Sequence, residues 1–230
     1  ASVKEVHAVD AAGVHPLLLA VGRERYVPFA GNRQPQELLT AGLSLLGTTQ
    51  TSLAKYVLIA AEDDAPGLTA RDVPGFLAHM LRRTDFSRDL HFITRTTMDT
   101  LDYTGISLNQ GSKLLWAAAG EEKRELATET PAGITLPEGF SRLTLFAPGV
   151  LVCRGPGHAL PVDTQDPAME TLAQRLTAQR ERLHGIALVV AADDPAFTTA
   201  DWNNFLWVAF TRSDPATDLY GCNARHACKH

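Results

Sequence analysis

Cysteine is scarce in this 230-residue chain, which has three cysteines, three methionines and three tryptophans. So few cysteines argue against a disulfide framework and fit a reducing compartment. Lysine and arginine number 21 against 26 acidic residues, and a net charge of −5 argues against general nucleic-acid binding, which normally shows as a basic face. The apolar run from Pro16 to Val21 is too short to cross a bilayer. We therefore expect a soluble, cytoplasmic protein.

Signatures of nucleotide binding and of nucleophilic catalysis are also missing. Gly155 and Gly157 lack the Gly-x-Gly-x-x-Gly spacing of a dinucleotide site, and the chain has no P-loop. Cys153 and Ser112 show no family signature of a nucleophile beside a base. For the histidines, a packed or surface position is the preferred interpretation over catalysis. They are His7, His15, His79, His91, His158 and His184.

What the chain does have is hydrophobic content of 45%, enough for a sizeable core, and a repeated pattern. Val57 to His91 aligns without a gap with Ile186 to Tyr220, and ten positions are identical where composition alone gives about two. Each copy predicts a strand, a polar turn, a helix, a second turn and a strand.

Polar residues shared by the two copies predict where each helix begins and ends. Thr69 and Thr198 are predicted N-caps, with Asp72 and Asp201 at the third helical position, where a carboxylate favours the positive end of the helix dipole. The other shared polar residues are assigned to the last helical turn and the turn after it. These are Arg83, Arg212, Asp85 and Asp214.

A strand and a helix precede each copy. His15 to Glu24 predicts a strand and Gln34 to Leu46 a helix, while Leu143 to Arg154 predicts one or two strands and Asp166 to Leu183 a helix. Each half therefore offers strand, helix, strand, helix, strand. This alternation predicts an α/β fold of two repeated units with a largely parallel sheet and right-handed crossovers.

The charged stretch at 121–142, with Pro131, Pro137 and Gly139, is the predicted connection between the units. The first α/β unit then covers residues 1–120 and the second covers 143–230. Because the chain starts at Ala1 and enters strand-like sequence almost at once, we expect an excised piece of a longer protein.

Four segments resemble the C-terminal region of UbiD-type decarboxylases, which use prenylated FMN to remove or add carboxyl groups on aromatic and α,β-unsaturated acids. The segments are SLAKYVLIAAEDD, RTDFSRDLHF, DTLDYTGISLNQGSK and NNFLWVAFTRSDPATDLYG. The resemblance covers nearly the whole chain and is closer to the longer members of the family. Shorter members have one copy of the repeated unit, so the second copy departs from them.

The resemblance implies a domain that supports oligomer assembly and closes over an active site. In this family the flavin site and the catalytic Arg-Glu-Glu/Asp network belong to a domain N-terminal to this region, and no segment here matches those motifs. We therefore expect no catalytic, cofactor-binding or metal residue in this chain, and no activity of the chain alone. Prenylated FMN with metal ions is expected in the full-length parent. The expected partners are the missing N-terminal flavin domain and further copies of the chain, with no nucleic acid and no membrane.

Two groups of residues allow a metal site as an alternative. For the acidic turns, helix capping and turn formation are the preferred interpretation over the binding of a divalent cation. For the C-terminal tail, a flexible segment is preferred over zinc, because the spacing lacks the usual loop between paired cysteines, and metal binding there is left open. The acidic residues are Glu62, Asp63, Asp64, Asp193 and Asp194. The tail residues are Cys222, His226, Cys228 and His230.

The alternative function is a self-sufficient small-molecule enzyme or binding protein. Its site would lie at the carboxyl ends of the strands near Asp64 and Asp193, in a deep pocket with converging polar groups. Trp202 and Trp207 are five residues apart on one predicted helix and so face different directions. One of these tryptophans is expected to meet another subunit or domain.

Overall fold

The computed structural model describes residues 3–13, 15–26, 32–157, 160–161 and 164–224. Its strands are β1 (Val3–Ala8), β2 (Leu17–Gly22), β3 (Tyr56–Ala61), β4 (Leu90–Thr97), β5 (Gln110–Ala118), β6 (Ser141–Ala147), β7 (Val150–Arg154) and β8 (Leu188–Ala192). Its helices are α1 (Glu37–Leu46), α2 (Val73–Arg83), α3 (Pro167–Ala178), α4 (Pro195–Thr198), α5 (Trp202–Thr211) and α6 (Pro215–Asp218). Within these residues, none of the helices combines the length and the apolar character needed to span a membrane.

The strands form two mixed sheets. The larger sheet has the order β1-β2-β3-β5-β4, with parallel pairs in the centre and antiparallel pairs at both edges. The smaller sheet has the order β6-β7-β8, in which β6 is antiparallel to β7 and β8 is parallel to it. The α/β class is therefore confirmed, but the expectation of a largely parallel sheet is wrong. Short connections such as the turn at Gly149, whose φ is 74°, produce antiparallel hairpins instead of crossovers.

The repeated unit of strand, helix and strand is not confirmed. The first copy continues from β3 through α2 into β4, as predicted, whereas the second continues from β8 through α5 into the short helix α6. The copies share the turn that precedes the last strand, since the Asp89 amide donates to the Asp85 carbonyl at 2.8 Å and the Asp218 amide to the Asp214 carbonyl at 2.9 Å. They differ after it, where β4 follows in the first copy and no strand follows α6 in the described residues of the second. Asp214 caps α6 through the Ala216 amide at 3.0 Å, and a proline at the first helical position favours this helical start.

The aspartates, and not the threonines, cap the two main helices. Asp72 accepts the Gly75 amide at 3.1 Å, and Asp201 accepts the Asn204 amide at 2.8 Å. The predicted N-caps Thr69 and Thr198 are therefore wrong by one helical turn. Thr69 instead donates to Glu5 at 2.9 Å, and Thr198 donates to the Asp194 carbonyl within α4 at 2.8 Å.

The two halves of the chain contribute to one hydrophobic core. Leu58 and Trp116 of the larger sheet, Val152 of the smaller sheet and Phe205 of α5 belong to the same buried cluster. Smaller clusters lie under α1 on the opposite face of the larger sheet and under α3 on the smaller sheet. Residues between β5 and β6 connect the two sheets, and the division into units at 121–142 stays a prediction.

Candidate functional site

The acidic turn after β3 is occupied by ion pairs within the chain. Glu62 pairs with Lys4 and, at 3.6 Å, with Arg23, while the other two pairs are Asp63–Arg25 and Asp64–Arg33. Asp64 also accepts the Gly120 amide at 2.8 Å. Burial raises the pKa of Asp63, but the Glu24 amide and Arg25 together hold it below its ordinary value. In the described part of the chain no three metal-ligating side chains converge, so the cation alternative gains no support.

The second acidic turn serves local structure. Asp194 caps α4 by accepting the Ala196 and Phe197 amides at 3.0 and 3.1 Å. Asp193 is exposed and contacts Arg212 at 3.3 Å. The predicted cap chemistry is thus confirmed for Asp194, and Asp193 is part of a surface ion pair.

Two shallow surface clefts lie elsewhere. One, of about 250 Å³, includes His15 in its lining. The other, of about 380 Å³, includes Arg95. Neither of these clefts is lined by Asp64 or Asp193, so they do not supply the deep pocket that the alternative enzyme requires.

His79 is a buried histidine on α2. Its Nδ1 atom accepts a hydrogen bond from Arg83 at 3.1 Å, while Nε2 has no partner in the described residues. Burial, Arg83 and Arg82 lower the pKa of His79 to about 4. The side chain is therefore neutral at pH 7 and carries its proton on Nε2, which supports packing and not proton transfer.

Acidification from pH 7 to pH 5 is expected to lower the free energy of unfolding by about 2 kcal/mol through His79. The unfolded chain binds a proton at the ordinary pKa of 6.5, whereas the folded chain binds it only near pH 4. The folded state thus loses stability as the pH falls below 6.5. Urea unfolding of the wild type and of His79→Gln at both pH values measures this difference. An equally steep pH dependence in both proteins would contradict the assignment.

The remaining histidines and cysteines do not form a reactive site in the described residues. His15 pairs with Asp99 near the surface. Burial raises the pKa of Cys153 to about 11, so this thiol stays protonated. Cys222 is exposed. The other predicted tail ligands and one histidine lie outside the described residues, namely His226, Cys228, His230 and His158.

A buried ion pair that the sequence did not reveal lies at the amino end of β3. The side chain of Lys55 is 1% exposed and that of Asp102 is 5% exposed, and Nζ lies 2.8 Å from Oδ2. Lys55 also donates to the Thr104 hydroxyl at 3.0 Å, and Asp102 accepts the Thr104 amide at 3.0 Å. Burial lowers the pKa of Lys55, and the charge of Asp102 opposes this effect. The pair fixes the loop between β4 and β5 to the sheet.

The buried carboxylate of Asp214 joins the second half of the chain to the same region. It accepts the Ser112 amide at 3.1 Å and the Ser112 hydroxyl from β5, in addition to capping α6. Next to it, the hydroxyl groups of Tyr56 and Ser213 lie 2.6 Å apart. These contacts connect the start of α6 to the central strands of the larger sheet.

The loop between β4 and β5, residues 98–109, exposes apolar side chains beside this anchored base. Leu101 is 74% exposed and Tyr103 is 84% exposed, on either side of the buried Asp102. Leu108 and Ile106 are also exposed. We call these four side chains the loop patch. Apolar surface held out on an anchored loop is typical of a contact surface.

The two tryptophans of α5 face different directions, as predicted. Trp202 packs on Phe146 with ring centroids 4.8 Å apart, whereas Trp207 is 47% exposed. Contact of Trp207 with another subunit or domain stays a prediction.

Comparison with known proteins gives the family. A family model for the 3-octaprenyl-4-hydroxybenzoate carboxy-lyase C-terminal domain matches residues 1–118. An uncharacterized protein of Chlamydia muridarum is 33% identical over 218 residues, which is 95% of this chain and 33% of that protein. A 4-hydroxybenzoate decarboxylase subunit of Chlamydia pneumoniae is 31% identical over 225 residues, 98% of this chain and 34% of that protein. This chain thus spans about a third of the length of these curated relatives.

Two solved structures show lower similarity. Vanillic acid decarboxylase of Sedimentibacter hydroxybenzoicus in closed form is 17% identical, covering 60% of this chain and 26% of that one, with a TM-score of 0.41. Apo 3,4-dihydroxybenzoic acid decarboxylase of Klebsiella pneumoniae is 18% identical, covering 50% of this chain and 23% of that one, with a TM-score of 0.38.

The family model matches 118 of the 230 residues, which is more than half of the chain. This chain therefore belongs to the family of 3-octaprenyl-4-hydroxybenzoate carboxy-lyase C-terminal domains, the region of UbiD-type decarboxylases that its sequence resembles.

Proposed function

We propose that this chain is the non-catalytic C-terminal domain of a UbiD-type carboxy-lyase acting on aromatic or α,β-unsaturated acids. It serves assembly and closes over the active site, while a separate N-terminal flavin domain holds prenylated FMN, its metal ions and the catalytic groups. The family match and the relative named as a 4-hydroxybenzoate decarboxylase subunit support this role.

The observation that carries the proposal is the loop patch. Leu101 and Tyr103 are exposed on a loop whose base is fixed by the buried Lys55–Asp102 pair. Ordering a loop lowers its conformational entropy, and a preordered apolar loop binds a partner with a smaller entropic loss. We assign the loop patch to the contact with the flavin domain.

A flavin phosphate does not fit the amino end of α1, the place where open α/β sheets often bind phosphate. The buried carboxylate of Glu24 already accepts the Glu37 and Leu38 amides there, at 3.0 and 3.1 Å. An anion at this position would meet the like charge of Glu24. This arrangement supports a flavin site outside the described residues.

Flavin retention and carbon dioxide release test the proposal. The 230-residue chain is produced in cells that make prenylated FMN, in parallel with a longer product that joins it to the flavin domain. We expect flavin absorbance and decarboxylation of 4-hydroxybenzoate, vanillate or cinnamate only in the longer product. Flavin binding and carbon dioxide release by the 230-residue chain alone would overturn the proposed role.

Replacing Tyr103 with serine is expected to weaken binding of the flavin domain at least about tenfold, the effect of a well-packed aromatic contact. Tyr26→Ser is the matched control, because Tyr26 is equally exposed, at 85%, and lies outside the loop. Binding between separately produced domains is measured by titration calorimetry, together with the thermal unfolding of each variant. Equal binding by Tyr103→Ser and the wild type would exclude the loop patch as the contact.

A further inference from the structure

Two side-chain ion pairs tie the loop between β4 and β5 to the larger sheet. The inner pair is the buried Lys55–Asp102 pair described above. The outer pair joins the carboxylate of Asp99, at the start of the loop, to Nδ1 of His15, two residues before β2. The two pairs differ in their access to solvent. The side chains of His15 and Asp99 are 34% and 14% exposed, whereas those of the inner pair are almost completely buried.

Asp99 organises the first turn of the loop. Its Oδ1 atom accepts the Leu101 amide at 3.0 Å, and its backbone carbonyl accepts the Asp102 amide at 3.1 Å. The other carboxylate oxygen, Oδ2, contacts His15. The same residue therefore positions Leu101, a member of the loop patch, and connects it to the sheet through His15.

No other charged side chain lines the cleft in which His15 lies, since the remaining lining residues are Ala8, Leu18, Gln50, Thr51 and Ala54. The hydrogen bonds and ion pairs within the described residues join His15 and Asp99 to none of the titratable groups of the neighbouring elements. Those groups are His7 of β1, Asp10 in the turn before His15, the inner pair Lys55 and Asp102, and Arg212 of α5, which pairs with Asp193. The charge of the outer pair is thus set by its own two members.

Of these two members, the imidazole is the one that changes charge near neutral pH. Histidine is the side chain that ordinarily gains or loses its proton between about pH 5 and pH 8. Burial raises the pKa of Asp99, but the Leu101 amide and His15 together hold it below its ordinary value. Asp99 therefore stays ionised at pH 6. A protonated imidazole binds it through a charged hydrogen bond, which is stronger than the hydrogen bond of a neutral ring.

We propose that His15 is a pH-sensitive latch on the loop patch. The protonated ring holds Asp99 and the adjacent Leu101 against the sheet, and the neutral ring holds them less tightly. The inner pair continues to hold Asp102 in both states. The loop patch is thus better ordered at pH 6 than at pH 8, and a partner that binds it at pH 6 meets a smaller entropic loss. This regulation of docking rests on the contact with the flavin domain proposed above, whereas the latch itself does not.

Amide hydrogen exchange of the 230-residue chain at pH 6 and pH 8 tests the latch, with each rate divided by the intrinsic rate at the same pH. We expect the protection of the Leu101 and Asp102 amides to be about threefold higher at pH 6, the effect of a partly exposed ion pair. The Thr104 amide, which donates to Asp102, is expected to keep the same protection. His79 cannot produce this pattern, because its protonation in acid destabilises the whole fold.

The variants His15→Gln and Asp99→Asn are each expected to abolish the difference in protection between the two pH values. Asparagine keeps an oxygen that can accept the Leu101 amide, so the first turn of the loop is retained. His184→Gln is the matched control, because His184 is an exposed histidine in the other half of the chain, and it is expected to keep the difference. Equal protection at both pH values in the wild type, or an unchanged difference in His15→Gln, would overturn the latch.

Binding of the separately produced flavin domain at both pH values distinguishes the latch from the docking role. We expect the ratio of the affinity at pH 6 to that at pH 8 to be about threefold larger for the wild type than for His15→Gln. Titration of the flavin domain itself enters both ratios equally. Equal ratios, together with the expected exchange difference in the wild type, would overturn the assignment of the loop patch to the flavin domain but leave the latch in place.

Discussion

Replacing Lys55 with methionine is expected to lower the free energy of unfolding by about 3–5 kcal/mol. The substitution leaves the carboxylate of Asp102 buried without its cation, and an unpaired charge in a protein interior is strongly destabilising. Urea unfolding measures the loss. Because Asp102 lies between Leu101 and Tyr103, the same variant is expected to increase amide exchange in the loop that carries them.

Lys113→Met is the matched control for this prediction. Lys113 is also buried, and its ammonium group donates to the Ser52 carbonyl, with no carboxylate partner among the described residues. Burial lowers the pKa of Lys113, and methionine would leave no charge unpaired there. We therefore expect a change within about 1 kcal/mol or a stabilisation. Equal losses in Lys55→Met and Lys113→Met would show that the ion pair is not the cause.

A second substitution distinguishes the destabilisation caused by the lost cation from that caused by lost packing. In the Lys55→Met background, Asp102→Asn removes the unpaired charge but keeps an oxygen that can accept the Thr104 amide. The double variant is expected to recover about 1–3 kcal/mol relative to Lys55→Met. If the double variant is no more stable, the loss arises from packing of the lysine stem.

The central strands could be located from the sequence because burial on both faces produces continuous apolar runs. β2 and β3 are buried at every residue and coincide with the apolar stretches that predicted them. Their neighbours could not be derived in the same way. The antiparallel pairing of β4 with β5 depends on a loop connection, which periodicity does not encode.

The repeat predicted the local geometry of turns better than it predicted the secondary-structure elements. In both copies the first aspartate of an Asp-x-x-x-Asp turn donates its amide to the second, at 2.8 Å for Asp85 and 2.6 Å for Asp214. The element after this turn differs between the copies, because β4 begins at Leu90 in the first copy, whereas no strand follows Asp218 in the described part of the second. Ten shared residues therefore indicated common turns and helix positions but not a common last strand.

The candidate site could be predicted only in part. The role of Asp194 as a helix cap could be predicted because it is local, since its carboxylate accepts backbone amides only two and three positions further along the chain. Lys55 and Asp102, by contrast, are 47 positions apart and meet only through the tertiary fold. A lysine directly before the apolar run of β3 was the available signal, since a charge entering a buried strand requires a partner.

Replacing Asp214 with alanine is expected to lower the free energy of unfolding by about 3–4 kcal/mol without removing a catalytic group. The buried carboxylate accepts the Ser112 amide, the Ser112 hydroxyl and the Ala216 amide, and the substitution leaves these donors without their charged acceptor. Tm is expected to fall by roughly 6–16 °C for a chain of this size. Under the role proposed above, the rate of decarboxylation by the longer product is expected to stay unchanged at a temperature below the transition.

Asp85→Ala is the matched control, because Asp85 occupies the same position in the first copy of the repeat. Among the described residues its carboxylate accepts from Ser87 alone, an exposed residue whose groups can bond to water instead. We therefore expect a loss of about 1 kcal/mol or less. The roughly threefold larger effect at Asp214 would come from its contacts across 102 residues to β5, which join α6 to the larger sheet. Unchanged thermal unfolding of Asp214→Ala would show that the contact of Asp214 with β5 does not stabilise the fold. A loss of activity in a folded Asp214→Ala variant would instead place the carboxylate in catalysis.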